Sequence, residues 1–287
     1  MTTLIGQAAS LLKLRIGVAI AASALAGMAV TKGPALSPGQ VIAFALAVLG
    51  GAGAAGAFNH YYERDLDVRM ARTRQRPFAN GQFQANPWWI ASFVALLLAS
   101  LTLAAASGGF IAALYVFLGA FVYGIVYTVW LKRRSVWNIV VGGLAGSFAV
   151  LAGAATVDPV PQTVPLLLSI VLFLWTPPHF WSLAAARRDD YDAAGVPMLS
   201  VTAPDRIWTL AILLHTAALV ILSLVPLGFG LGPIYGAAAG IGGGYFLWRS
   251  WQLYLAPSRG AAMANFAASL VQLSLLVVGI IADGAIG

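Results

Sequence analysis

The chain has 287 residues, 60% of them apolar and 9% charged, against about 45–50% and about 25% in an ordinary soluble domain, which excludes a water-soluble enzyme. Sixteen Lys and Arg against nine Asp and Glu give a net charge of +7; in so apolar a chain this excess points to loops facing an anionic leaflet, not to nucleic acid. The absence of cysteine excludes disulfides, thiolate metal sites, iron–sulfur clusters and a thiol nucleophile.

Apolar runs bounded by charge, Gly or Pro predict an all-α integral membrane protein of one domain, residues 1–287, with nine transmembrane helices. They fall near 15–31, 40–61, 87–106, 109–130, 136–156, 163–185, 207–227, 231–252 and 262–282. The first run continues to Val30 without a polar cleavage region, so it reads as a span and not as a signal peptide. Gly50, Gly51, Gly53 and Gly56 in the second run, and Gly142, Gly143 and Gly146 in the fifth, fit close helix approach better than a groove for a long apolar ligand.

A cytoplasmic N-terminus puts 15 of the 16 basic residues on the inner side and leaves Lys32 outside, so the charge bias predicts N-in, C-out topology in a plasma (inner) membrane. Trp88, Trp89, Trp130, Trp137, Trp208, Trp248 and Trp251 fall near inner helix ends, as an interfacial belt does. Charge bias has no use for carboxylates, yet Glu63, Asp65, Asp67, Asp189, Asp190, Asp192 and Asp205 are also on the inner side. Nearly all lie in two long inner connections, about 62–86 and 186–206, which places any polar chemistry on the cytoplasmic face.

In the first connection, Asn59, Glu63 and Asp67 recur at i, i+4 and i+8, so on a helix three oxygen-bearing side chains share one face. That is a ledge for a hard cation such as Mg²⁺, which is commonly shared with substrate phosphates; Arg72 and Arg76 follow as anion partners. The plainer reading is a solvated, charge-balanced loop, but orienting the protein needs only the arginines. The second connection carries Asp189, Asp190, Tyr191 and Asp192. Both clusters follow even-numbered helices, so both open on one face, an arrangement suited to a metal-bridged diphosphate.

Lys132 and Arg133 read equally as an ordinary basic loop and as phosphate contacts, and Asn138, just inside the fifth span, is a polar amide that needs a partner in lipid. The run Trp175-Thr176-Pro177-Pro178-His179-Phe180-Trp181 places two prolines, which free backbone carbonyls and kink a helix, beside an intramembrane histidine. His179 and the mid-span His215 each read as either functional or packed. His60, His179 and His215 show no zinc-protease spacing, and there is no nucleotide-binding P-loop.

Together these residues resemble the UbiA superfamily of intramembrane prenyltransferases and, within it, the protohaem IX farnesyltransferases (haem O synthases). The resemblance runs through Lys13 to Ile16, Asn59 to Pro77, Leu131 to Arg133, Asn138 to Gly143, Trp175 to Trp181 and Asp190 to Leu199, with a weaker echo at Phe266 to Leu270, covering nearly the whole chain. The acidic motif points to the superfamily; W-T-P-P-H-F-W followed by D-Y-x-x-A-G-V-P-M-L points to the haem branch. Leu14 and Ser200 stand where that branch usually has proline, and Ser147 to Val150 replaces a more proline-rich stretch. The superfamily's second D-x-x-x-D falls on Arg187 and Tyr191, so its carboxylates do not transfer.

The resemblance implies a UbiA-type helical bundle. It also implies Mg²⁺-dependent transfer of the farnesyl group of farnesyl diphosphate to a vinyl group of haem B, with addition of water, giving haem O and diphosphate. Asn59, Glu63, Asp67, Asp189 and Asp190 would be catalytic metal ligands, and Arg72, Arg76, Lys132 and Arg133 would hold the diphosphate. Asn138, His179 and Tyr191 would touch substrate, with His179 either contacting or ligating the iron or accepting a proton. Implied partners are haem A synthase or terminal-oxidase assembly proteins. The competing readings are a UbiA-type enzyme acting on an aromatic quinone precursor or a chlorophyll-type tetrapyrrole, and a transporter. Spans nearly free of charge and without repeated halves argue against the transporter.

Overall fold

A computed structural model describes residues 4–286, and all regular structure among them is helical. Helices α1 (Leu4–Leu11) and α2 (Leu14–Ala29) meet at Lys13, the only described non-glycine residue with positive φ, at 49°. Helix α3 (Pro38–Tyr62) starts on Pro38, whose missing N–H costs nothing in a first turn. A capping box precedes it: the Ser37 hydroxyl accepts the Gln40 N–H at 3.3 Å, and the Gln40 carboxamide accepts the Ser37 N–H at 3.0 Å. The short α4 (Arg64–Asp67) continues this direction.

Helix α5 (Pro87–Phe121) is capped by Asn86, whose side chain accepts the Trp88 N–H at 3.0 Å. Gly109, at φ 85° and ψ 171°, divides it into two arms between the third and fourth expected runs. The second arm passes into a π-helix, Val122–Leu131. The chain continues through α6 (Asn138–Gly142), α7 (Leu144–Val157), α8 (Thr163–Ala186), the short α9 (Arg188–Ala193) and α10 (Leu199–Thr202), then α11 (Asp205–Leu224), α12 (Pro233–Leu255) and α13 (Arg259–Ile286).

Among the described residues, six stretches are long and apolar enough to cross a membrane: Pro38–Tyr62, Pro87–Leu131, Asn138–Val157, Thr163–Ala186, Asp205–Phe229 and Arg259–Gly284. The chain is an integral membrane protein. All nine expected runs lie on helices, but two are joined in Pro87–Leu131, the 16-residue α2 is short, and α12 falls outside the six.

Two groups of helices build the bundle. In the first, α3 packs on α2 and α5, and α7 packs on α2 and α5; in the second, α8, α11, α12 and α13 pack in a closed cycle. Contacts of α7 with α8 and of α2 with α13 join the groups. Lipid offers no hydrophobic drive for helix association, so close backbone approach carries the packing. At the α2–α7 crossing, a Cβ on Gly27 would overlap the Val150 carbonyl, and one on Gly153 would overlap that of Ala24. Gly50, Gly51, Gly142 and Gly143 likewise face Ser100, Val116, Tyr127 and Thr176, the expected role in packing, whereas Gly146 meets open space.

Candidate active site

The i, i+4, i+8 face of α3 and α4 is realised. Asn59, Glu63 and Asp67 are 1%, 1% and 2% exposed, and buried polar groups demand partners. Each obtains a cation from another segment. The Lys13 ammonium donates to Asn59 Oδ1 at 2.6 Å and to the Tyr123 hydroxyl at 2.7 Å. Lys132 pairs with Glu63 Oε2, and Arg76 Nη1 donates to both Asp67 oxygens, at 3.0 and 2.9 Å. Lys13, Lys132 and Arg76 thus face Glu63 and Asp67, three basic side chains against two carboxyl groups. Burial pushes the Asp67 carboxyl above its ordinary range against the pull of Arg76, and holds the Lys13 ammonium well below its own.

Local structure explains these placements. Lys13 adopts its left-handed backbone between α1 and α2, and its side chain crosses α3 at Gly56, where an added Cβ would lie 3.3 Å from Lys13 Cδ. In the π-helix, the Lys132 N–H bonds the Tyr127 carbonyl five residues back at 2.9 Å. The wider turn brings the Lys132 ammonium over the Tyr127 ring, 5.6 Å from its centre, in keeping with the frequent placement of such bulges at functional sites. The Thr128 hydroxyl donates to the Tyr123 carbonyl at 2.8 Å and accepts from Asn59 Nδ2 at 3.0 Å, so the amide is held at both ends.

The second acidic segment reaches the same end of the bundle through one carboxylate: Asp190 Oδ1 accepts the Ala71 N–H at 3.0 Å, tying α9 to the loop after α4. The structure does not bring Asp189 to this cluster. Consecutive helical residues point about 100° apart, and Asp189 instead lines a separate cavity of about 310 Å³ with Arg188, Ser200, Asp205, Trp208 and Arg259. Arg133 also turns away, holding Asp65 through two bonds of 2.8 and 2.7 Å, and that guanidinium lowers the Asp65 pKa. Arg72 is exposed and makes no ion pair among the described residues.

Asn138 is fully buried; its Nδ2 donates to the Ser135 carbonyl at 2.6 Å and the Pro197 carbonyl at 3.4 Å, while its Oδ1 is unpartnered. It therefore ties α6 to the strap between α9 and α10. Tyr191 is buried in the same apolar cluster as Met70, Ile139 and Val196. His215 bonds the Ala211 carbonyl of its own helix at 2.8 Å and meets Trp181 edge-on, whereas His179 is held by residues of α13.

No group of three His, Asp or Glu among the described residues stands close enough to share a metal ion. The donor set nevertheless suits a hard divalent cation. Glu63 Oε1 is sealed from solvent without any partner, one helical turn from the side-chain oxygens of Asn59 and Asp67, which Lys13 and Arg76 hold. Lys13, Tyr123 and Thr128 are the residues that motif reading missed. Lys13 appeared there only at the head of the resembling segment Lys13 to Ile16, and Gly56, three residues before Asn59, was the one local sign of a close crossing.

The UbiA prenyltransferase family model matches residues 20–276. The chain is 56% identical over 283 residues to protoheme IX farnesyltransferase 2 of Paramagnetospirillum magneticum, covering 99% of this chain and 98% of that one. It is 40% identical to the protoheme IX farnesyltransferase of Parvibaculum lavamentivorans, covering 94% and 85%. Among solved structures, a digeranylgeranylglyceryl phosphate synthase superposes with a TM-score of 0.79 at 14% identity, over 98% of both chains. A UbiA homologue from Archaeoglobus fulgidus bound to DMAPP and Mg²⁺ superposes with a TM-score of 0.71 at 15% identity, over 96% of this chain and 99% of that one. These likenesses show the fold, and the sequence relatives show the branch. The chain is a membrane-embedded prenyltransferase that belongs to the UbiA prenyltransferase family, in its protoheme IX farnesyltransferase branch.

Proposed function

We propose that this enzyme transfers the farnesyl group of farnesyl diphosphate to a vinyl group of haem B, with addition of water, giving haem O and diphosphate. The observation that carries the site assignment is the buried face of Asn59, Glu63 and Asp67, met by Lys13, Lys132 and Arg76; the relatives' names carry the choice of substrates. Asn59, Glu63 and Asp67, with Asp190 from α9, are the residues that would hold Mg²⁺. When bound, the ion withdraws charge from the diphosphate as it leaves.

Lys13, Lys132 and Arg76 bring three basic side chains to this pocket, and Arg72 stands exposed on the loop that follows α4. These cations stabilise the charge that develops on the leaving group. Tyr123 and Tyr127, stacked at 5.6 Å beside Lys13 and Lys132, present π-faces that shield an allylic cation from water. The haem vinyl group then attacks that cation, and water captures the resulting pyrrole-stabilised cation, its oxygen bonding to carbon while its proton passes to the released diphosphate, so no protein nucleophile is needed. Asn138 and Tyr191 fix the strap that closes this side, and His179 faces the haem.

The membrane arrangement belongs to the same proposal. One domain makes nine crossings: α2, α3, the two arms of α5, α6 with α7, α8, α11, α12 and α13. The N-terminus lies in the cytoplasm, the C-terminus outside, and the acidic segments open on the cytoplasmic face of the plasma membrane. A haem A synthase or an oxidase assembly factor is the expected recipient of product.

The test is incubation of the purified full chain with haem B, farnesyl diphosphate and Mg²⁺, followed by mass analysis of the haem. The expected product carries one added farnesyl group and one added hydroxyl. Unmodified haem, beside prenylation of an aromatic quinone precursor supplied in parallel, overturns the haem reading.

A further inference from the structure

His179 sits in a clamp made by two helices. It lies eight residues before Arg187, about 12 Å below the inner end of α8 at 1.5 Å per residue. Trp175 stacks on its ring at 4.1 Å and 21°, Phe266 of α13 lies at 4.5 Å and 32°, and Phe180 meets it edge-on at 4.8 Å. The Ser269 hydroxyl stands 2.7 Å from Nδ1, and the Trp175 Nε1–H donates to the Ser269 carbonyl at 2.9 Å. Ring plane and ring rotation are therefore both set by tertiary contacts.

The hydrogen bonds also set the tautomer. Ser269 Oγ lies 2.6 Å from the Phe266 carbonyl oxygen, an approach between two oxygens that requires the hydroxyl proton between them. Ser269 then has only lone pairs to offer, so Nδ1 must carry the proton and donate. That leaves Nε2 with its lone pair, unpartnered among the described residues and absent from the sealed, unpaired polar atoms. A neutral imidazole whose second nitrogen donates to a fixed acceptor is the usual state of a metal-ligating histidine.

Resting on the protohaem reading above, we propose that His179 Nε2 is the axial ligand of the haem iron and orients the vinyl group toward the prenyl site. The clamp decides between the two roles open to this histidine. A proton acceptor becomes an imidazolium, and among the described residues this buried ring has no carboxylate partner to balance the charge, its one hydrogen bond being to a hydroxyl. Coordination leaves the ring neutral. Ser269 is a positioning residue that fixes the tautomer.

The test uses the full chain in lipid nanodiscs, titrated with haem B without farnesyl diphosphate and read by optical absorption, electron paramagnetic resonance and resonance Raman spectroscopy. Wild type is expected to show histidine-ligated haem. H179A is expected to lose that signature and weaken haem binding about tenfold or more, with added imidazole restoring the spectrum, while H215A keeps it. S269A, which retains the ring, is expected to shift the iron–histidine stretching band of ferrous haem; this supplies the readout should H179A fail to fold. A wild-type spectrum in H179A, an unshifted band in S269A, or loss of the signature in H215A overturns the ligand assignment and leaves the substrate reading intact. Failure of wild type to bind haem overturns both.

Discussion

Among single residues, the paired carboxylates and their cations should not respond alike to mutation. Asp67→Ala and Asp190→Ala are expected to abolish prenyl transfer while leaving membrane insertion intact, because the basic residues that orient the chain remain; product analysis beside a membrane-fractionation assay checks both halves. Wild-type turnover by either variant removes that residue from the proposed metal ledge. Lys13→Met removes two charge-assisted hydrogen bonds beside the leaving-group pocket and is expected to raise KM for the prenyl diphosphate about tenfold or more. The Asp65–Arg133 pair behaves differently because it is surface chemistry, with Asp65 about half exposed. Its folded pKa is lowered by Arg133, so its stabilisation, about 0.2–1 kcal/mol for an exposed pair, is whole above about pH 4, the ordinary aspartate value. It fades as the pH falls through the lowered value. Melting curves of wild type and Asp65→Asn in acid should differ by that slope, and identical slopes would refute the linkage.

Whole elements depend on places where side chains are absent or turns are wide. Gly56 lets Lys13 cross α3, so Gly56→Ala is expected to raise the same KM as Lys13→Met, by less, since a Cβ 3.3 Å from a flexible side chain displaces it without removing it. An unchanged KM would mean that Lys13 reaches Asn59 by another route. At the α2–α7 crossing the neighbour is backbone, which has no such freedom, so Gly153→Ala is expected to destabilise by about 1–3 kcal/mol and to lower the melting temperature in detergent. The glycine clusters and the helical runs were legible in the sequence because residue spacing and hydropathy act locally. The π-helix was not. Tyr123 and Thr128 look like part of an ordinary apolar span and Lys132 like the start of a basic loop, and their shared orientation toward α3 follows from a turn type that no motif announced.

Across the whole molecule, the absence of cysteine makes topology directly testable. Single-cysteine variants Gln75→Cys, in the first acidic connection, and Val160→Cys, in the loop after α7, are expected to react with impermeant thiol reagents from opposite sides of the membrane. Labelling of both from one side would overturn the N-in, C-out arrangement. That arrangement is what charge bias and hydropathy lead one to expect, because both act through the bilayer on each segment independently. Both acidic segments were expected at one end of the bundle; the structure ties Asp190 to the loop after α4 and brings in Lys13, while Asp189 and Arg133 are on other contacts.

The linear chain therefore decided membrane residence, the helical runs, the family and the buried i, i+4, i+8 face, since each depends on composition or on neighbours within two turns. Only the tertiary structure decided which cation meets which oxygen and which tautomer His179 holds. Lys13 reaches Asn59 across 46 positions and Ser269 reaches His179 across 90, distances at which packing of helices against one another, and no local preference, selects the partner.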